Sequence, residues 1–125
     1  MPNFAAKPPS TNIASAGYEL VVFERARTCL VCRLFRRDVA ENYMTSQQQT
    51  TAPMRFIDLD RLEVEKTRQP HPGLTSQLRM LPTVVIMRDG REQARVEGYT
   101  GPAIFYQAIR HALGRLAGRP DPLLQ

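Results

Sequence analysis

The chain has 125 residues, 42% of them apolar and 23% charged, with a formal net charge of +5; this is enough for one hydrophobic core and too little for two packed domains. Its unbroken apolar runs, such as Leu20-Val21-Val22-Phe23 and Val84-Val85-Ile86-Met87, are far shorter than the about 20 residues of a membrane-spanning helix, so no insertion into a membrane is expected. Of the 17 cations only Lys7 and Lys66 are lysine, but a modest basic excess mainly sets solubility and encounter rate, and a chain without Trp has little surface on which nucleic acid would stack.

Residues 1–17 carry Pro2, Pro8, Pro9, Ser10, Thr11, Asn12, Ser15 and Gly17 with no apolar period, which predicts a flexible lead-in that would suit a spacer after an export signal. The start lacks a basic stretch followed by an apolar one. That leaves a cytoplasmic protein or the mature part of an exported one. Tyr18 to Glu24 reads as a central strand, apolar on both faces from Leu20 to Phe23. Helical spacing of Val31, Leu34, Phe35, Val39 and Tyr43 predicts a helix from Cys29 to about Met44, with Thr28 as its N-cap. After a polar connection (45–53), Met54 to Leu59 reads as a second strand. Asp60 can cap a short helix over Arg61 to Thr67, which Gln69-Pro70-His71-Pro72-Gly73 breaks, and Leu74 to Met80 reads as another helical turn. Thr83 to Arg88 and Glu92 to Glu97 form a hairpin about Asp89-Gly90. A closing amphipathic helix buries Ile104, Phe105, Ala108, Ile109, Ala112, Leu113 and Leu116, and ends at Gly118. The order is β-α-β-α-β-β-α, which predicts a four-stranded mixed sheet with helices on both faces. The domain spans 18–118, between tails at 1–17 and 119–125.

The two cysteines, Cys29 and Cys32, are too few for a disulfide-dense scaffold or a four-cysteine zinc site, and their C-x-x-C spacing points to redox chemistry or a partial metal site. Cys29 stands where a strand has ended and a helix begins. There the unpaired amides and the helix dipole favour a thiolate, the reactive form. Cys32, one helical turn on, is close enough to bridge. Cys29, nearer the exposed end, is the expected nucleophile and Cys32 the resolving thiol. Arg25, Arg27, Arg33, Arg36 and Arg37 flank the pair and would favour the thiolate further. His71 and His111, the only histidines, lack ligand spacing. No metal is expected, and the chemistry needs no cofactor.

Leu81-Pro82-Thr83, the strand and Asp89-Gly90 hairpin after it, and Val96-Glu97-Gly98 before the closing helix resemble the second half of thioredoxin-fold proteins. With Cys29-Leu30-Val31-Cys32 after a Val-rich strand, the resemblance covers about residues 18–117. It implies a thioredoxin-like fold. It also implies a redox role for Cys29 and Cys32, a cis-proline at Pro82 facing the disulfide, and a substrate segment pairing with the backbone of Leu81. Leu30 and Val31 join Leu81 and Pro82 as expected substrate-binding residues. Thr28 stands where thioredoxins proper have Trp, and Leu30-Val31 where they have Gly-Pro. Their buried Asp is unmatched, since Val22 and Phe23 occupy that region. Glu24 is the nearest acid and the candidate proton acceptor for Cys32.

The Glu-Leu-Val-x-Phe-Glu strand (Glu19 to Glu24), the Arg-rich helix after Cys32, and the segments Asp89 to Glu92 and Glu97 to Tyr99 are similar to small periplasmic thioredoxin-like proteins of sulfur-oxidising bacteria. That likeness implies a periplasmic site, protein disulfide substrates and recharging by a membrane thiol donor. The expected function is a thiol–disulfide oxidoreductase reducing a restricted partner. The alternatives are a disulfide oxidant or isomerase-like protein, a non-enzymatic thioredoxin-like binding module, or a basic nucleic-acid binder. Oligomeric state is not legible from these residues.

Overall fold

β1 (Tyr18–Glu24) is the strand the sequence marks as buried on both faces, and it is central. The computed structural model describes residues 17–46, 52–61 and 70–118. β2 (Met54–Asp58) runs parallel to β1, while β3 (Thr83–Arg88) and β4 (Arg91–Glu97) add antiparallel on the other side, in the order β2-β1-β3-β4. The β3–β4 turn places Asp89 and Gly90 at φ 54° and 76°. Both central positions of a tight hairpin turn require such values.

α1 (Leu30–Phe35) runs on through a π turn (Arg36–Ala40) into α2 (Glu41–Met44), and α3 (Pro102–Leu116) closes the fold. Alternate strand residues point to opposite faces. Leu20, Val22, Val84 and Ile86 meet Phe35, Val39, Tyr43, Phe105 and Ile109 in one core. Val21, Phe23, Val85 and Met87 form a second, smaller core with Leu74, beneath Leu78 and Leu81. Among the described residues both helical rods therefore lie on one face of the sheet. The expected helix over Arg61 to Thr67 lies outside the described residues, except Arg61, which ends a 3-10 turn (Leu59–Arg61). The tails expected at 1–17 and 119–125 also lie outside them, apart from Gly17.

The helical turn expected over Leu74 to Met80 is absent: this segment is irregular and covers the second core. Its backbone groups find partners on β4 instead of in a helix. The Glu92 amide donates to the Gly73 carbonyl (2.9 Å), and the Thr75 amide donates to the Glu92 carboxylate (2.9 Å). The Arg95 guanidinium donates to the carbonyls of Ser76 (2.9 Å) and Gln77 (3.0 Å). Gly73 approaches the hairpin so closely that a Cβ there would lie 1.8 Å from the Gly90 carbonyl oxygen.

A bulge in β4 makes these bonds reachable. Ile86 pairs with Ala94 and Met87 with Glu92, which leaves Gln93 as the extra residue. Three positions apart, Glu92 and Arg95 would face opposite ways on a regular strand. The inserted residue brings both onto the face of Val85 and Met87.

Candidate active site

The loop after β1 is held by two carboxylates at the end of β2. Asp58 accepts the amide of Ala26 (3.2 Å), and Asp60 accepts the amide of Arg27 (3.1 Å) and the guanidinium of Arg25 (3.0 Å). Partial burial pushes the Asp60 carboxyl up, but the bonds from Arg27 and Arg25 outweigh it and hold it below its ordinary range. With the loop pinned, the Cys29 amide closes a turn onto the Arg25 carbonyl (3.1 Å).

Cys29, not Thr28, is the N-cap of α1. Its backbone is extended (φ −113°, ψ 108°), and its Sγ accepts the Cys32 amide at 3.1 Å. Thr28 stands one residue too early for its hydroxyl to take that place. Cys29 and Cys32 form a disulfide with Cα atoms 5.2 Å apart. Cys32 is buried and Cys29 half-buried, as the ordering of the two along the helix requires.

Leu30 is 64% exposed and Val31 38% exposed. Val31 was expected on the apolar face with Phe35 and Val39; the first turn instead turns it outward, beside the disulfide. Opposite the pair, the Leu81–Pro82 peptide is cis, and the Leu81 carbonyl oxygen lies 4.0 Å from Cys29 Sγ. Buried Pro82 has no amide to satisfy, and its carbonyl accepts the Gly98 amide (2.9 Å). The Thr83 hydroxyl donates to the Met80 carbonyl (2.6 Å).

Beside the disulfide, reached through Val31 and Leu81, is a groove of about 240 Å³, lined by Val31, Met80, Leu81, Gly98, Tyr99 and Ile104 among others. Met80 (52%) and Ile104 (57%) are exposed at its rim. Ile104, expected in the core of the closing helix, lines this groove instead. Gly98 (φ +80°) makes room for Met80: a Cβ there would lie 2.9 Å from the Met80 methyl. Tyr99 donates its hydroxyl to Asp38 (2.8 Å) and meets Phe35 edge-on at 5.3 Å. Burial and that bond push Tyr99 up to about 12. Asp38 is held below its ordinary range by Arg37 and by Tyr99.

Glu24 closes β1 wholly buried. Arg36 Nε donates to both its carboxylate oxygens (3.1 and 3.2 Å), Nη2 adds a third bond, and the guanidinium lies 4.0 Å over the Phe56 ring. The hydrogen bonds to Glu24 hold Arg36 above even its usual range. His71 accepts the Gly73 amide on Nδ1 (2.9 Å) and meets Phe23 edge-on, which is turn and core work, and His111 is exposed on α3. Among the described residues no three metal-ligating side chains converge, and no helix is long and apolar enough to cross a membrane.

The sequence reading missed the Arg36–Glu24 pair, the Tyr99–Asp38 bond and the Arg95 cluster. Each joins residues from different elements. A buried position for Glu24 was the one available signal, since it directly continues the Leu20 to Phe23 run.

The model of the thioredoxin-like domain matches residues 11–113. The chain belongs to the thioredoxin-like family. Its C-x-x-C pair, at disulfide distance in that fold, makes it a thiol–disulfide oxidoreductase. It is similar to the periplasmic thioredoxin SoxS from Paracoccus pantotrophus, at 26% identity and a TM-score of 0.65 over 79% of this chain and 98% of that one. The thioredoxin Deadhead from Drosophila melanogaster (20% identity, TM-score 0.55, 78% of this chain and 83% of that one) shares the fold. So does the Malassezia sympodialis thioredoxin Mala s 13 (16%, 0.54, 79% and 80%). No curated protein matches the chain.

Proposed function

We propose that this thioredoxin-like protein reduces a disulfide on a restricted partner protein, with Cys29 as nucleophile and Cys32 as resolving thiol. The observation that carries the reading is Cys29 Sγ. It caps α1 on the Cys32 amide, belongs to the more exposed cysteine, and lies 4.0 Å from the carbonyl of Leu81, a residue that lines the neighbouring apolar groove. An amide aimed at sulfur at a helix start favours thiolate over thiol.

In the reduced protein the Cys29 thiolate attacks one partner sulfur. The partner's S–S bond breaks, its departing thiolate takes a proton, and a mixed disulfide joins Cys29 to the partner. Cys32 gives up its proton and attacks Cys29 Sγ, which releases the second partner thiol and leaves the Cys29–Cys32 disulfide. A thiol donor, for which a membrane reductant is proposed, returns two electrons and two protons. The partner segment lies extended along Leu81 and Pro82, pairing with the Leu81 backbone. Exposed Leu30 and Val31 meet its apolar side chains and narrow the choice of partner. Glu24 as proton acceptor for Cys32 would have to give up part of its pairing with Arg36, so its contribution is read from the pH profile of Glu24→Gln. The likeness to a periplasmic thioredoxin supports a periplasmic site.

Cys29→Ser is expected to abolish turnover, and Cys32→Ser to accumulate the mixed disulfide, seen as a mass adduct after thiol trapping. Turnover surviving in Cys29→Ser would overturn the nucleophile. A reduction potential near about −270 mV fits a reductase, whereas one near about −120 mV moves the assignment to a disulfide donor or isomerase-like protein. A pair that never cycles leaves a binding module.

A further inference from the structure

The geometry points to Arg95 as a positioning residue that fixes where Met80 and Leu81, which line the substrate groove, lie against β4, an inference that rests on the reductase reading above. Arg95 is remote from the disulfide in sequence, and its side chain is only 12% exposed. Its five guanidinium contacts join three places. Nε and Nη2 hold Glu92 (2.6 and 2.8 Å), Nη1 holds Glu97 (3.2 Å), and Nη1 and Nη2 reach the carbonyls of Gln77 (3.0 Å) and Ser76 (2.9 Å). The groove is lined in part by the end of β4, Val96 to Gly98, and by Met80 and Leu81, which meet that strand where Met80 packs on Gly98 and the Pro82 carbonyl accepts the Gly98 amide. Arg95 belongs to β4 and grips the segment that leads into Met80 and Leu81.

That segment has no helix or strand of its own to define its course. Its other described ties to β4 lie at or near its two ends: the Glu92 amide to Gly73, Thr75 to Glu92, Arg79 to Glu97 at 3.6 Å, and Gly98 to Met80 and Pro82. A planar fork with fixed donor directions can hold two carbonyls and two carboxylates at once, and an ammonium cannot. Burial adds rigidity at Glu92, whose side chain is 6% exposed, because losing Arg95 would leave that carboxylate without its cation. The partners of the Arg95 guanidinium are Glu92, Glu97, Ser76 and Gln77 and not the cysteines, so its effect falls on where a partner segment lies and not on the sulfur chemistry.

The test compares wild type, Arg95→Gln and Arg95→Lys with two substrates: an intact protein disulfide (insulin) and a small aromatic disulfide that needs no groove. Expected for Arg95→Gln is a KM for insulin raised about tenfold, in line with the sensitivity of bound geometry to shifts near 1 Å. Its rate with the small disulfide and its reduction potential should stay at the wild-type values. Arg95→Lys should fall between. An unchanged KM for insulin in a folded variant overturns the inference, and so does a parallel loss with both substrates. Should Arg95→Gln not fold, Arg95→Lys, which keeps the charge but not the fork, carries the same comparison. If wild type itself reduces neither substrate, the reductase reading fails, and that failure is separate from any effect of Arg95.

Discussion

A buried ion pair at the end of the central strand decides how the first helix leans on the sheet. Glu24 is 1% exposed at its side chain and Arg36 47%. Removing the guanidinium strands a carboxylate in the interior, whereas removing both partners removes the problem. Arg36→Met is therefore expected to lower stability by about 2–3 kcal/mol, at the low end for broken buried pairs because Arg36 itself is half in water. The double variant with Glu24→Gln should recover part of the loss. Urea unfolding with the disulfide intact measures both, and a single-variant loss within error of zero would mean that water already reaches Glu24. The same pair shows what the sequence hides at this scale. Glu24 is legible as an acid near the cysteines, but the residue it grips is 12 positions on, on another element.

At the scale of elements, two glycines of opposite character can be set against each other. Gly73 sits where the irregular cover segment presses on the β3–β4 hairpin, and a Cβ would strike the Gly90 carbonyl. Relief requires moving backbone, so Gly73→Ala is expected to cost about 3 kcal/mol, as overpacking of rigid sites does. Gly114, inside α3, has nothing within 4 Å of a Cβ. Gly114→Ala should raise stability by about 0.5–1 kcal/mol through helix propensity and a less flexible unfolded chain. Thermal unfolding of the two variants should move in opposite directions; a shared direction would contradict this packing of the cover segment. The strands and the long helices were legible because each carries its own period. The cover segment was not: its polar backbone is satisfied by Glu92 and Arg95, which become neighbours only through the bulge at Gln93.

For the whole molecule, the charge network sets a pH window. Asp38, Asp60 and Glu92 lie below their ordinary ranges. For Glu92, burial pushes upward but the bonds from Arg95 and Thr75 prevail. Such groups ionise more readily folded than unfolded. Their contribution is full above the unfolded carboxylate range, about 4, and is lost as pH falls through the lowered folded values. Tyr99 acts on the other limb. Held up to about 12, it keeps its proton longer in the folded state, so its contribution is lost as pH rises from about 10 towards 12. The midpoint of urea unfolding is expected to be flat between about pH 5 and 9 and to fall on both sides. A fall beginning near neutral pH would contradict this pairing.

The sequence by itself determined the strand and long-helix segments and the C-x-x-C pair at a helix start; the Leu81-Pro82 segment as its partner came from the family resemblance. The former live in periodicity, turn chemistry and short spacing, which act within a few residues. Only the tertiary structure decided that Cys29 caps the helix, that Val31 and Ile104 turn out to a groove, and that Arg36 and Arg95 are spent on Glu24, Glu92 and Glu97. A hydrogen bond across the sheet depends on register, on a one-residue bulge and on which face an element presents, and none of these is encoded in the spacing of the residues it joins.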